Sequence, residues 1–224
     1  MTKIAIIYYS MYGHIVTLAK ALQEGVEAAG GTADIYQVPE TLPKDVLDKM
    51  GAPPKLSYPI ITPDKMKEYD GFLFGISGRY GTYPAQLKSF MDSTGSLWQA
   101  GALVGKSAGV FQSTGTQGGG QETIGFNFFP FCAHHGLVFV PLGYVDPKVF
   151  SFDEVHGATP YGSGTFAGPD GSRKPSKLEL DVCRSHGKHF CAITERLATD
   201  PAKPKKARKH AAWKFWMGSK RLTA

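Results

Sequence analysis

The chain has 224 residues, 42% of them hydrophobic and 20% charged, with a formal net charge of +6. That length suits one domain, or two at most, with a full core. No apolar run approaches the roughly 18 residues of a membrane span, and Thr2-Lys3 leads straight into a strand-like run, so no secretory signal is expected. The cysteines, Cys132, Cys183 and Cys191, are odd in number and lack C-x-x-C spacing, which argues against a disulfide framework or structural zinc and for a reducing cytoplasm. The positive charge is local. Residues 201–224 hold eight of the 25 Lys and Arg and no Asp or Glu, leaving 17 basic against 19 acidic side chains before them. The body is thus near neutral, and no nucleic-acid partner is expected of it.

Apolar periodicity predicts a strand near 3–9, a helix over 14–29, strands at 33–38 and 71–77, a helix over 84–91, a strand at 106–113, a helix over 121–134, a strand at 137–141 and a helix over 176–198. In the first helix Ile15, Leu18, Ala19, Leu22, Val26 and Ala29 fall on one face and Lys20, Gln23, Glu24 and Glu27 on the other, and Gly30-Gly31 ends it. Five strands with helical crossovers imply an α/β three-layer sandwich around a parallel sheet. Two stretches exceed that plan: the proline-rich 39–62 and the Gly/Pro-rich 141–175. Loops of this length in a compact domain serve as active-site walls or subunit contacts.

Ligands of open α/β sheets bind outside the carboxyl ends of the strands. The first such end, Ser10-Met11-Tyr12-Gly13-His14, feeds a helix directly and offers backbone N–H groups at the positive end of its dipole. It holds no Lys or Arg, so it reads either as an anion cradle of amides and hydroxyls or as an ordinary serine-capped turn. Two further ends, Gly75–Gly81 and Gln112–Gly120, are rich in small residues that let backbone approach a flat ligand. Together the loops suit a nucleotide-like ligand with a phosphate at one end and a planar ring at the other, the shape of flavin mononucleotide (FMN). Arg79, at a strand's carboxyl end, takes a ligand-side role in this reading.

The stretches Y-Y-S-M-Y-G-H-I (8–15), F-G-I-S-G-R-Y-G (74–81), T-G-S-L-W (94–98), S-T-G-T-Q-G-G-G-Q-E-T (113–123), A-H-H-G (133–136), P-L-G-Y (141–144), G-A-T-P-Y-G (157–162) and P-D-G-S-R (169–173) carry a resemblance. In this order, over about residues 3–195, they resemble the WrbA-type NAD(P)H:quinone oxidoreductases, fungal members above all. The resemblance implies a flavodoxin-like fold with a five-stranded parallel sheet in the order 2-1-3-4-5. It implies that Ser10, Met11, Tyr12, Gly13, His14 and Ile15 hold the FMN phosphate. Gly78, Arg79 and Tyr80, with Ser113, Thr114, Gly115, Thr116, Gln117 and Gly118, would flank the ribityl chain and ring system. His134 would line the flavin site, Trp98 would contact the second substrate and Tyr12 would lie near the nicotinamide. NADH or NADPH would be the electron donor, a quinone the acceptor and the assembly a homotetramer, a dimer of dimers whose sites borrow residues from neighbours. If both substrates share one slot over the ring, ping-pong kinetics follow, and Trp98, Tyr80 and Tyr144 are suitable aromatic walls.

Ser77-Gly78-Arg79-Tyr80-Gly81-Thr82 departs from the P-T-R-[FY]-G-N common in that family. The missing threonine hydroxyl and asparagine amide bear on flavin affinity and potential, and Gly78 is a weaker site candidate than Arg79. The alternative function is a flavodoxin-like scaffold, or membrane-peripheral protein, with weak flavin binding and little catalysis. A single-electron flavodoxin carrier is disfavoured by the near-neutral body.

Other signals are set aside. Gly101–Ser107 ends in GKS but is one residue short of a P-loop, and its GKS precedes a strand instead of opening a helix. Gly162–Gly168 misses G-x-G-x-x-G spacing. His134-His135 and His186-x-x-His189 lack a completing ligand set, so no metal is expected, and His186 and His189 are expected on the exposed face of the last helix. A domain over 1–200 would be followed by a basic aromatic tail, 201–224. There Trp213, Trp216 and Met217 have the spacing of a surface helix facing anionic lipid, against the alternative of a solubilising tail. Arg221-Leu222-Thr223-Ala224 is no prenylation box. The expected location is cytoplasmic, with a membrane-peripheral tail as the open alternative.

Overall fold

The structure is a computed structural model that describes residues 1–199. The tail, and with it the lipid-surface expectation, lies outside the described residues.

Strands β1 (Lys3–Tyr8), β2 (Thr32–Gln37), β3 (Gly71–Ser77), β4 (Ser107–Thr114) and β5 (Val138–Phe139) form a parallel sheet in the order 2-1-3-4-5. β1, β3 and β4 are buried almost throughout, which is why each reads as a near-continuous apolar run. The outer position adds a sixth strand to the expected order. β5 pairs only Ser107 and Ala108; the chain then leaves the sheet over residues 140–163 and returns as β6 (Gly164–Phe166), which pairs Gln112–Thr114 on the same side of β4, also in parallel. The fifth position is therefore one strand interrupted by an insertion, and the sheet has six strands.

Helices α1 (His14–Ala28) and α6 (Lys177–Thr199) cover one face, with Ile15, Leu18, Leu22, Cys183 and Phe190 in a shared core. On the other face lie α3 (Ala85–Asp92), α4 (Gly95–Ala100) and α5 (Gln121–His135), packed on Phe72, Phe74 and Val110 through Leu87, Leu97 and Phe128. The proline-rich stretch contains a short helix, α2 (Lys44–Lys49). α1 and α6 touch backbone to backbone. A Cβ on Gly25 would stand 2.1 Å from the Arg184 carbonyl oxygen, and one on Gly187 would stand 2.2 Å from that of Leu22.

α6 opens with a capping box. The Ser176 hydroxyl accepts the Glu179 amide at 3.2 Å, and the Glu179 carboxylate accepts the Ser176 amide at 2.8 Å. The expectation for His186 is corrected here. It is fully buried, because Val182, Cys183, His186, Phe190 and Cys191 form one stripe along α6. Its Nδ1 accepts the Ser163 amide at 3.4 Å and lies 3.0 Å from the Ser163 hydroxyl, and burial pulls its pKa down to about 3. His189 is half-buried.

Candidate active site

The turn after β1 leaves its helix uncapped. Gly13, the N-cap of α1, sits at φ 92, a left-handed conformation suited to glycine, and no side chain caps the helix. The amides of Met11, Tyr12, His14 and Ile15 have no protein acceptor among the described residues. Ser10 Oγ accepts the Gly13 amide at 3.1 Å, closing the turn. Behind the loop, Lys55 donates to the Ser10 carbonyl at 2.9 Å and pairs with Glu40 at 3.0 Å, while Glu40 also accepts the Tyr9 hydroxyl at 3.0 Å. Burial works to raise the Glu40 pKa, but the Leu42 amide, Lys55 and Tyr9 together hold it below the ordinary value. The carboxylate stays charged and fixes the loop from the rear.

β3 ends in a tight turn. Arg79 and Thr82 exchange backbone bonds of 2.8 and 3.0 Å, and both central residues have positive φ, Tyr80 at 51 and Gly81 at 75. This is the mirror-image turn in which a bulky residue such as Tyr80 is strained. Thr123 and Asn127 of α5 both donate to the Gly81 carbonyl, at 2.8 and 3.1 Å, and hold the turn down. A Cβ at Gly78 would lie 3.0 Å from both Ile124 and Thr114, so glycine suits this packing without a ligand role.

The remaining wall comes from the segment after β6. His14 Nε2–H donates to the Arg173 carbonyl at 2.7 Å, joining α1 to that segment. The Arg173 guanidinium bonds Thr165 Oγ1, the Phe166 and Val155 carbonyls and Glu179, the last at 3.0 Å. Glu179 is fully buried and also accepts the Gly157 amide and the Thr165 hydroxyl.

These segments enclose an open cleft of about 620 Å³. Of the sequence-predicted residues, Ser10, Met11, Tyr12, His14, Ile15, Gly78, Arg79, Ser113, Thr114 and Gly115 line it. Gly13 borders an adjoining hollow with Ser10 and Met11. Tyr80 points fully into solvent, and Thr116, Gln117 and Gly118 lie off the cleft wall. His134 and Trp98 share a separate hollow of about 340 Å³ with Tyr83, Lys88 and Phe131. There the Thr94 hydroxyl donates to the Met91 carbonyl at 2.6 Å and accepts from His135 Nε2 at 2.9 Å. Burial, aided by His134, keeps the His135 pKa below its usual value.

Sequence reading missed Ser77, Ala167, Asp170, Gly171 and Lys174 as cleft residues. The P-D-G-S-R-K turn was a signal for the last three, but nothing local shows that it returns to the β1–α1 turn. Among the described residues no cluster of His, Cys, Asp or Glu suits a metal. The donors fit a phosphorylated flat ligand: free amides at the head of α1, and a buried Ser77 hydroxyl at the cleft that lacks a protein partner.

A parallel sheet of this order, with amides gathered beyond its first strand, defines the flavodoxin-like class of nucleotide-binding folds. The family model described as NADPH-dependent FMN reductase matches residues 2–146, and the chain belongs to that family. It is 56% identical over 190 residues to the NAD(P)H quinone oxidoreductase PST3 of Candida albicans, covering 84% of this chain and 96% of that protein. It is 48% identical over 198 residues to the quinone-oxidoreductase QR2 of Triphysaria versicolor, covering 88% and 97%. Protoplast secreted protein 2 of Saccharomyces cerevisiae is 55% identical over 192 residues, with 85% and 96% covered. Among solved structures, a flavodoxin, WrbA-like protein from Agrobacterium tumefaciens superposes with a TM-score of 0.61 at 18% identity, over 88% of this chain and 99% of that one. That likeness extends to the fold.

Proposed function

We propose that this protein is an FMN-dependent NAD(P)H:quinone oxidoreductase with ping-pong kinetics. The observation that carries the reading is the convergence of three strand ends and the 167–174 segment on one cleft, with unpaired amides at the head of α1. Flavin supplies the redox chemistry when bound, taking hydride from the nicotinamide and passing two electrons to the quinone. The chain's own work is positional. The free amides of Met11, Tyr12, His14 and Ile15 would hold the phosphate, the Lys55–Glu40–Tyr9 group keeps that loop in place, and Ser113–Gly115 line the cleft. Arg79, held through its turn to α5, offers a cation at the wall. The protein needs no nucleophile.

We also propose a homotetramer built as a dimer of dimers. Two separate apolar surfaces support it. Along α5, Phe126 and Pro130 are exposed, and the Phe126 ring packs on Tyr161 with centroids 4.8 Å apart. In the insertion, Tyr144, Phe150, Phe152 and Val155 are exposed, and Tyr144 stacks on Phe150. Trp98 and His134, apart from the cleft of their own chain, would then serve a neighbour's cleft. A reducing, cytoplasmic location suits the three free cysteines, all buried.

An absorbance scan of the purified protein, with FMN titration of any apoprotein, tests the cofactor directly. Bound flavin at one per chain is expected. A chain that neither retains nor takes up FMN would overturn the enzyme reading and favour the scaffold alternative.

A further inference from the structure

The phosphate loop carries no cationic side chain, yet among the described residues the cleft holds one cation without work to do. Two long basic side chains line it, Arg79 and Lys174. Arg79 donates to the Gly78 carbonyl at 2.9 Å. Lys174 makes no hydrogen bond or ion pair among the described residues, and it is exposed. Its neighbour Arg173 differs in every respect, spending its guanidinium on Thr165, Phe166, Val155 and Glu179 inside the domain.

The position of Lys174 is fixed by backbone. The Arg173 carbonyl accepts His14 Nε2–H at 2.7 Å, so the residue after it sits beside the first turn of α1. Upstream, Gly168 and Gly171 turn the chain at φ 80 and 77, and the Arg173 amide donates to the Ala167 carbonyl at 3.0 Å. Among the described residues that line the cleft, Asp170 is the acidic one. Its Oδ1 accepts both the Ser172 amide at 3.0 Å and the Ser172 hydroxyl at 2.8 Å, which holds the carboxyl below its ordinary pKa and turns its charge toward its own loop. A lysine is a compact charge on a flexible stem, suited to closing over an anion from the solvent side.

We propose that Lys174 is the counter-charge of the bound phosphate, reaching from the 167–174 segment over the free amides of Met11, Tyr12, His14 and Ile15. The proposal rests on the FMN reading of the cleft. It adds that the cradle is completed from outside its own loop, by a residue some 160 positions along the chain. The amides would bond the phosphate, and the ammonium would neutralise its charge.

The test compares FMN with riboflavin, which has the same ring and ribityl chain but no phosphate. Full-length apoprotein is titrated by flavin fluorescence, as wild type and as K174Q and K174R, at low and high salt. K174Q is expected to weaken FMN about two- to fivefold at low salt, the range of an exposed ion pair, with riboflavin unchanged and the wild-type/K174Q difference shrinking at high salt. K174R is expected to bind FMN within about twofold of wild type, since charge is kept. Unchanged FMN affinity in K174Q, an equal loss for both flavins, or a loss that K174R does not restore would overturn the proposal. If wild type binds neither flavin, the FMN reading itself fails.

Discussion

Replacing Glu179 by alanine tests how the cleft wall is built. Its buried carboxylate closes the capping box of α6 on Ser176, pairs with Arg173 at 3.0 Å and accepts the Gly157 amide and the Thr165 hydroxyl at 2.8 and 2.7 Å. Alanine leaves a guanidinium whose side chain is 29% exposed without its carboxylate, and two backbone amides without acceptors. Breaking a buried pair from one side costs about 3–5 kcal/mol. For a chain of this size, that corresponds to a melting temperature lower by roughly 6–20 °C. Because Arg173 carries the carbonyl bonded to His14, FMN affinity should fall as well, by at least several-fold. Glu179→Gln keeps the shape and loses the charge, and about 1–3 kcal/mol is expected for it. Thermal unfolding and FMN titration of both variants provide the readout. A loss under about 1 kcal/mol for Glu179→Ala, with FMN affinity intact, would refute this view of the wall.

Gly187→Ala should cost about 2–4 kcal/mol, since its Cβ would stand 2.2 Å from the Leu22 carbonyl oxygen and force α1 and α6 apart; an unchanged urea midpoint would contradict this. His186 sets a pH dependence. Its pKa near 3 in the fold lies below the ordinary 6.5, so as pH falls from about 6.5 toward 3 the unfolded chain binds a proton that the native one does not. Stability should therefore fall over that window by on the order of 1 kcal/mol per pH unit from this group. His186→Asn should flatten the pH 7 to 4 stability profile, and a profile of the same slope would exclude the assignment. Trp98→Ala should raise the quinone KM while leaving FMN affinity within about twofold, because Trp98 lies outside its own chain's cleft; this is read by steady-state kinetics beside flavin titration, and equal damage to both would count against a role in a neighbour's site.

The fold was most legible where burial is complete. β3 falls on the predicted residues because Gly71–Ile76 is fully buried, and a strand sealed on both faces has no choice but an apolar run. β6 escaped notice because Gly-Thr-Phe is too short to show a period, and its partner β4 is reached only after the Gly/Pro-rich insertion. His186 was misplaced although the signal was present: Val182, His186 and Phe190 recur every four residues, which puts the imidazole on the apolar stripe. The capping box Ser176–Glu179 was likewise readable in S-x-x-E. In the cleft, the strand-end loops could be found because the site follows topology. Lys174 could not, since a hydrogen bond between His14 and Arg173, 159 positions apart, brings it there.

Two-electron transfer from a nicotinamide to a quinone at this cleft is measurable as turnover. FMN-loaded protein should oxidise NADH or NADPH with benzoquinone well above an equal concentration of free FMN, with parallel double-reciprocal lines as quinone is varied. Turnover no higher than the free-flavin background would contradict it.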